Sequence, residues 1–216
     1  MIIPRAIAKL FRANPTVAAL LLTVRFSWDR VRSGLMAFIL GASGLRLGGG
    51  CQILGGRHIS FGKGIYAGRS LWLEAVTTYG PQSFKPNIVI GDYVCFSDNV
   101  HISAIDSITV GARTLFGSKV YVSDHNHGIY RGYPQSSPDE PPAQRLLGGG
   151  GPVVIGENVW IGDNSVIVGP ADIGSGAIIA ANAVVRGEVP ANTMVAGAPA
   201  KPVKVFNPNT RLWERA

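Results

Sequence analysis

Residues 153–189 read VVIGENVWIGDNSVIVGPADIGSGAIIAANAVVRGEV, and the spacing inside this stretch decides the fold. Ile155, Ile161, Ile167, Ile173, Ile179 and Val185 recur at every sixth residue, and Val159, Ser165, Ala171, Ala177, Ala183 and Val189 stand four places after each. An amphipathic helix repeats near 3.6 residues and a half-buried strand near 2, so neither accounts for a strict six. A coil with flat sides does. If each six-residue unit forms one short strand and a corner, residues one and five point inward, and three units close a triangular turn of about 18 residues whose successors stack at the strand spacing of roughly 4.8 Å. The spacing thus predicts a parallel β-helix. Gly156, Gly162 and Gly174 directly follow the aliphatic residue, where a sharp or closely packed backbone favours the absence of a Cβ, and Asn158, Asp163, Asn164 and Asn192 suit corners.

Reading back toward the N-terminus, Phe61 with Ile65, Ala67 with Leu71, Ile90 with Val94 and Phe96 with Val100 fit positions one and five. The register lapses from about Glu74 to Pro86, stutters by two residues at Ile108, and resumes as Val110 with Thr114 and Phe116 with Val120 before stopping at Val122. Residues 123–152 carry no repeat, and a non-repeating loop of that length inside a solenoid points to function. The boundaries expected are a helical segment over 1–47, the β-helix over 48–205 with 123–152 extruded, and a tail over 206–216.

Residues 1–47 hold short apolar runs with helical spacing: Ile3, Ile7, Leu10 and Phe11, then Thr16–Val24, then Leu35–Leu40, interrupted by Asn14-Pro15 and by Arg25, Asp29, Arg30 and Arg32. Neither of the two longer runs reaches the ~20 residues needed to span a bilayer. The segment either caps the open end of the coil or lies at a membrane interface.

The chain of 216 residues has 20 Lys plus Arg against 13 Asp plus Glu, a net charge of +7 that favours anionic partners such as phosphates or an acidic membrane surface. Nucleic acid is not among the expected partners. Cys51 and Cys95 lie far apart in a chain with no signal-peptide pattern, so free thiols and a cytoplasmic setting are expected, with Cys95 as core or corner rather than nucleophile.

Two of the four histidines open the long loop, in Ser123-Asp124-His125-Asn126-His127-Gly128. A histidine there can serve as a general base. The alternative is a turn in which Asp124 and the imidazoles only satisfy backbone groups. A His-x-His pair with His101 as third ligand would resemble a zinc site, but no cysteine pair or His-x-x-x-His accompanies it, and no metal is expected.

The repeats, the segment Asn158-Val159-Trp160-Ile161-Gly162, the Asp124-His125-Asn126-His127-Gly128 loop and the ending Val195-Ala196-Gly197-Ala198-Pro199-Ala200-Lys201 resemble the hexapeptide-repeat acyltransferases over roughly residues 50–205. With Trp213-Glu214-Arg215, the likeness extends to the O-acetyltransferases of lipopolysaccharide and O-antigen biosynthesis. The resemblance implies an all-β solenoid, a left-handed parallel β-helix, working as a homotrimer with acetyl-coenzyme A as donor and active sites between subunits. It puts the catalytic histidine on His127, with His125 or Asp124 holding loop or imidazole. The acceptor contacts fall on Ser97, with Asn99 as a substitute, and beside Asp106. The coenzyme A contacts fall on Asp163, Ala181, Arg186, Gly187, Lys201 and Lys204, with Trp160 nearby. The expected reaction is direct acetyl transfer to a sugar hydroxyl of a cell-envelope saccharide, free or lipid-linked. N-acetyl transfer to an amino sugar and a zinc lyase like the γ-class carbonic anhydrases are the alternatives.

Overall fold

The computed structural model describes residues 5–216, so Ile3 and Pro4 of the first apolar run lie outside the described residues. Short parallel strands stack into three faces. Face A runs through Arg46–Leu47, Tyr66–Ala67, Cys95–Phe96, Leu115–Phe116, Trp160–Ile161, Ile178–Ile179 and Thr193–Ala196. Face B runs through Gln52–Leu54, Trp72–Ala75, His101–Ala104, Tyr121–Ser123 and the first part of Val166–Ile173. Face C runs through Ile59–Phe61, Asn87–Ile90, Ser107–Val110, Val153–Ile155 and the second part of Val166–Ile173, so that one strand joins the two faces. Val184–Val189 repeats this bridging one turn later.

The inward positions read from the six-residue period are the buried ones. Ile155, Val159, Ile161, Ile167, Ile173, Ala177, Ile179, Ala183 and Val185 are all at most 1% exposed, and Phe96 stacks on Phe116 at 4.8 Å between ring centres. Three of the inward side chains are hydroxylic and still buried because each finds an acceptor: Thr114 Oγ1 donates to the Gly156 carbonyl and Ser165 Oγ to that of Ala180, both at 3.0 Å, and Thr193 Oγ1 to that of Ala191 at 3.2 Å.

Two different demands shape the corners. Left-handed backbone falls on the third residue after the inward aliphatic: Asn99, Asn158, Asn164, Asn182 and Asn192 all have φ between 55° and 61°, a region asparagine tolerates better than most L-residues. The glycines directly after the aliphatic answer to close approach instead. A Cβ on Gly162 would stand 2.5 Å from the Ala181 nitrogen, and one on Gly174 2.3 Å from that of Ala191.

All the departures from the repeat fall at one corner, between faces B and C. The residues flanking this corner are Ile167 and Ala171 in one tight turn, and Val185 and Gly187, the partner of Ala171, in the next, which is two residues shorter. They are Ile102 and Ile108 in an earlier turn, Leu73 and Ile88 across the first excursion, and Val122 and Val153 across the long loop. The two-residue stutter is therefore an insertion at this corner, and the irregular segments project from neighbouring turns on the same edge.

Several expectations need correction. The apolar runs after Pro15 belong to one continuous helix. After helix α1, Arg5–Ala13, helix α2 spans Thr16–Leu40, because Arg25, Asp29, Arg30 and Arg32 are compatible with helix and Asp29 pairs with Arg32 at 3.5 Å across one turn. Gly41, at φ 63°, ends it. The coil begins at Arg46–Leu47 rather than near Gly50. Cys95 is neither core nor corner: it is half-buried on the outward side of face A, between Tyr66 and Leu115. The C-terminal residues form a hairpin, Lys201–Asn207 with Leu212–Arg215, antiparallel to the last strand of face A, and Trp213 packs edge-on against Phe206 at 5.6 Å.

The close approach of turns yields a test. Gly162→Ala is expected to destabilise the protein by about 1–3 kcal/mol, as overpacking does, although Ala is the better residue wherever φ is ordinary. Asn182→Gly at an exposed left-handed corner should stay within about 0.5 kcal/mol. Denaturant melts of the two variants check this, and an unchanged Gly162→Ala midpoint contradicts the packing assigned to the corner.

Candidate active site

The B–C corner is built around Asp124. Its buried carboxylate accepts the backbone amides of Ile105 at 2.9 Å and Asp106 at 2.8 Å, which are the two inserted residues of the turn below, and it takes Nδ1 of His125 at 2.8 Å. Three donors on a water-excluded carboxylate hold the loop's first residues in one arrangement. The far end of the loop returns to the same residue: Gly151 N donates to the Asp124 carbonyl at 2.9 Å, and a Cβ on Gly150 would overlap that carbonyl. The glycine run Gly148–Gly151 thus serves the neck of the loop.

Two residues further on, His127 stands exposed on the strand Asn126–His127, antiparallel to Leu147–Gly148. The first excursion comes up to meet it. The hairpin Thr78–Tyr79 with Gln82–Ser83 docks on the long loop through the Gln82 amide, which donates to Leu147 O at 2.9 Å and accepts Leu147 N at 2.7 Å, as a neighbouring strand would. Tyr79 then reaches His127, its hydroxyl oxygen 3.2 Å from Nδ1 and its ring edge-on at 5.4 Å.

This contact assigns a tautomer. The Tyr79 hydroxyl gives its proton to the Ala143 carbonyl at 2.6 Å, so toward His127 its oxygen accepts and Nδ1 carries the hydrogen. Nε2 of a neutral His127 is left with a lone pair at an exposed edge. His125 is set the same way by the Asp124 carboxylate on Nδ1, but its side chain is only 9% exposed. Tyr130 holds the His127 backbone, its hydroxyl donating to the His127 carbonyl at 2.6 Å while Arg145 Nη1 donates to the Tyr130 oxygen at 2.8 Å.

His101 plays a different part. Its ring stacks on Trp72 at 4.2 Å and meets Tyr121 edge-on at 5.2 Å on the outward side of face B, with Nε2 buried and unpartnered. Burial pushes its pKa below the ordinary histidine value, nearby His125 adds to the lowering, and Glu74 opposes it. Among the described residues no three His, Cys, Asp or Glu side chains converge as a metal cluster.

The remaining candidates divide between edges. Asp106 shares the B–C corner with the histidines, as do Arg186 and Gly187 two turns beyond the loop. Ser97, Asn99, Asp163 and Ala181 lie at the A–B corner, on the other side of face B, so one chain does not bring them to His127. Three of these have structural work there. Asn99 takes the left-handed corner, Asp163 accepts the Ser118 amide as Asp98 accepts that of Arg69, and Ala181 packs its backbone on Gly162. Trp160 faces outward on face A, 52% exposed, and Lys201 and Lys204 are exposed on the C-terminal hairpin. Tyr79 and Gln82 escaped the sequence reading, which saw only a lapse of register; the signal that could have found them is that this lapse falls in the same phase of the repeat as the long loop.

The model for the bacterial transferase hexapeptide (six repeats) matches residues 152–187. The chain is 42% identical over 167 residues to WbbJ of Escherichia coli K12, named as a lipopolysaccharide biosynthesis O-acetyl transferase, covering 77% of this chain and 81% of that protein. The chain belongs to the hexapeptide-repeat acyltransferases. Among solved structures, this family member superposes on an N-acyltransferase from Bacillus cereus, in complex with a dTDP-amino sugar and coenzyme A, with a TM-score of 0.61 at 17% identity, over 78% of this chain and 84% of that one. A hexapeptide-repeat-containing acetyltransferase from Vibrio cholerae complexed with acetyl-coenzyme A gives a TM-score of 0.54 at 25% identity, over 86% and 82% of the two chains.

The lowered pKa of His101 sets a pH dependence. An unfolded chain binds this proton more readily than the folded one, so stability is intact above the ordinary histidine pKa and is lost as pH falls through about 6.5. Melting temperature measured across this range should fall on the acid side, and His101→Phe, which keeps the stack on Trp72, should flatten the profile. An unchanged slope in the variant contradicts the assignment.

Proposed function

We propose that this acyltransferase uses acetyl-coenzyme A to acetylate a sugar hydroxyl of a cell-envelope polysaccharide or its precursor, with His127 as general base. One observation carries the reading: an exposed imidazole whose Nδ1–H is committed to Tyr79, leaving Nε2 free to accept a proton. Nε2 takes the proton of the attacking hydroxyl and then returns it to the departing sulfur. Tyr79 keeps the other nitrogen protonated, and the Asp124–His125 pair fixes the loop that carries His127. Acetyl-coenzyme A supplies the activated acyl group. Arg186, Lys201 and Lys204 suit its phosphates, being exposed and outside any ion pair among the described residues, and Trp160 offers an uncovered indole. Asp163 would contribute through the oxygen that Ser118 does not use, and Ala181 and Gly187 through backbone.

The split of candidates over two edges supports a homotrimer of left-handed β-helices. A threefold arrangement would bring the A–B corner of one chain, with Ser97, Asn99 and Asp163, toward the B–C corner of the next, with His127 and Asp106. The outward row of face B is Trp72, His101, Tyr121, Val166 and Val184, mostly apolar and suited to contact between chains. O-transfer is favoured over N-transfer by the relative named for O-acetyl transfer in lipopolysaccharide biosynthesis.

Thiol release from acetyl-coenzyme A in the presence of saccharide acceptors tests the base. His127→Ala should lower kcat by about 10²–10⁴ while donor binding persists. Tyr79→Phe, which keeps the ring and loses the acceptor for Nδ1–H, should lower kcat by about tenfold, with the donor KM unchanged. Near-normal turnover in His127→Ala with loss in His125→Ala moves the role to His125.

On the donor side, Lys201→Ala should raise the KM for acetyl-coenzyme A several-fold, with little effect on the acceptor KM, and added salt should reproduce part of the change. A donor KM that does not move contradicts the phosphate contact.

A further inference from the structure

Helix α2 has two working faces. On one, Ser33 covers the open edge of the first strand: its Oγ accepts Leu47 N at 2.8 Å and donates to the Asp29 carbonyl at 2.6 Å, while Arg32 Nη2 donates to the carbonyls of Leu47 and Gly48. Met36, Ala37 and Leu40 pack on the core from the same side. The helix therefore caps the coil with residues that would otherwise leave edge amides and carbonyls unpaired.

The opposite face is covered by nothing among the described residues. Val17, Leu21, Val24, Trp28, Val31, Leu35 and Phe38 are each 60–85% exposed. They recur at alternating intervals of four and three, and at about 100° per residue they centre roughly 180° around the helix from Ser33. The stripe covers about 100° of arc, and Leu20 and Ile39, 52% and 62% exposed, lie along its two edges. From residue 17 to residue 38 it runs about 30 Å at 1.5 Å per residue. Cap and exposed stripe are thus made of different residues of one helix.

We propose that this stripe is a docking surface for an anionic lipid bilayer, on which α2 lies in the interfacial plane. Charge argues for lipid. Arg25 and Arg30 are exposed on α2 to either side of the stripe, and Lys9 and Arg12 are exposed on α1, whereas the one acid of the two helices, Asp29, is paired with Arg32 on the capping side. Cations flanking a broad apolar face suit headgroup phosphates over acyl chains. A second copy of the helix is a poorer occupant. In a parallel assembly on this 3.5-residue seam, the flanking positions facing Arg25 and Arg32 are Leu20, Ser27 and Gly34, which offer no acid. No described helix is long and apolar enough to cross a membrane, in keeping with a helix that lies on the surface. In the proposed trimer all three stripes would point away from the coils at the same end, so three weak contacts would act together.

Flotation of the full-length protein with phosphatidylcholine vesicles, with and without about one third phosphatidylglycerol, tests this. The wild type should float with the anionic vesicles and far less with the neutral ones. Trp28→Glu with Leu35→Glu, both at solvent-exposed positions, should lower partitioning by about tenfold or more while leaving the melting temperature and the solution mass unchanged. A wild type that ignores anionic vesicles overturns the proposal. So does a double variant whose mass by light scattering drops to a smaller assembly, since the stripe is then a contact between copies.

Discussion

Every turn of this chain must pair its backbone with the turn above and the turn below at once, and that constraint governs the rest. Stacked parallel strands leave no slack along the faces, because each inward aliphatic sits on the one beneath it and each corner glycine lets the next backbone pass within van der Waals reach. Extra residues can leave the coil only at a corner. Here they leave at one corner in successive turns, so the hairpin of residues 77–84, the insertion at Ile105-Asp106 and the loop of 123–152 stand beside one another on a single edge. The scaffold is regular so that its irregular parts can meet.

What those parts assemble is a histidine with a defined tautomer at an exposed edge. Asp124 ties the long loop to the insertion below it, Gln82 ties the hairpin to the loop, and Tyr79 completes the contact with His127. None of these bonds lies within a repeat. Each joins two turns, so the site is a property of the stack rather than of a segment, and the rigid coil gives it the positional precision that a free loop lacks.

The stack itself was legible in the sequence because one geometry satisfies a six-residue period over so many units, and the inward set Ile155 to Val185 follows from it residue by residue, whereas Val189 sits in the register of Ile173 rather than of Ala171 because the last corner is two residues shorter. The Asp124–His127 run was legible as a candidate site, since two histidines open a long non-repeating loop on a regular scaffold. Tyr79 was not, because its partner lies far along the chain and nothing in the periodicity of residues 74–86 says where an excursion will dock. Helix α2 misled for a related reason: Arg25, Asp29, Arg30 and Arg32 read as a break between apolar runs, yet they sit on the flanks and capping face of one continuous helix. Reading the apolar residues as one surface missed that a helix of 25 residues has room for a capping face and a separate exposed apolar face.

The central claim is that the edge carrying His127 acetylates a cell-envelope saccharide. Mass spectrometry of the surface polysaccharide from cells with the intact protein, with His127→Ala, and without the protein tests it most directly. The account predicts a repeat unit heavier by one acetyl group in the first case alone, with the extra mass released by mild alkali as an ester requires. Polysaccharide of the same mass in all three would contradict it.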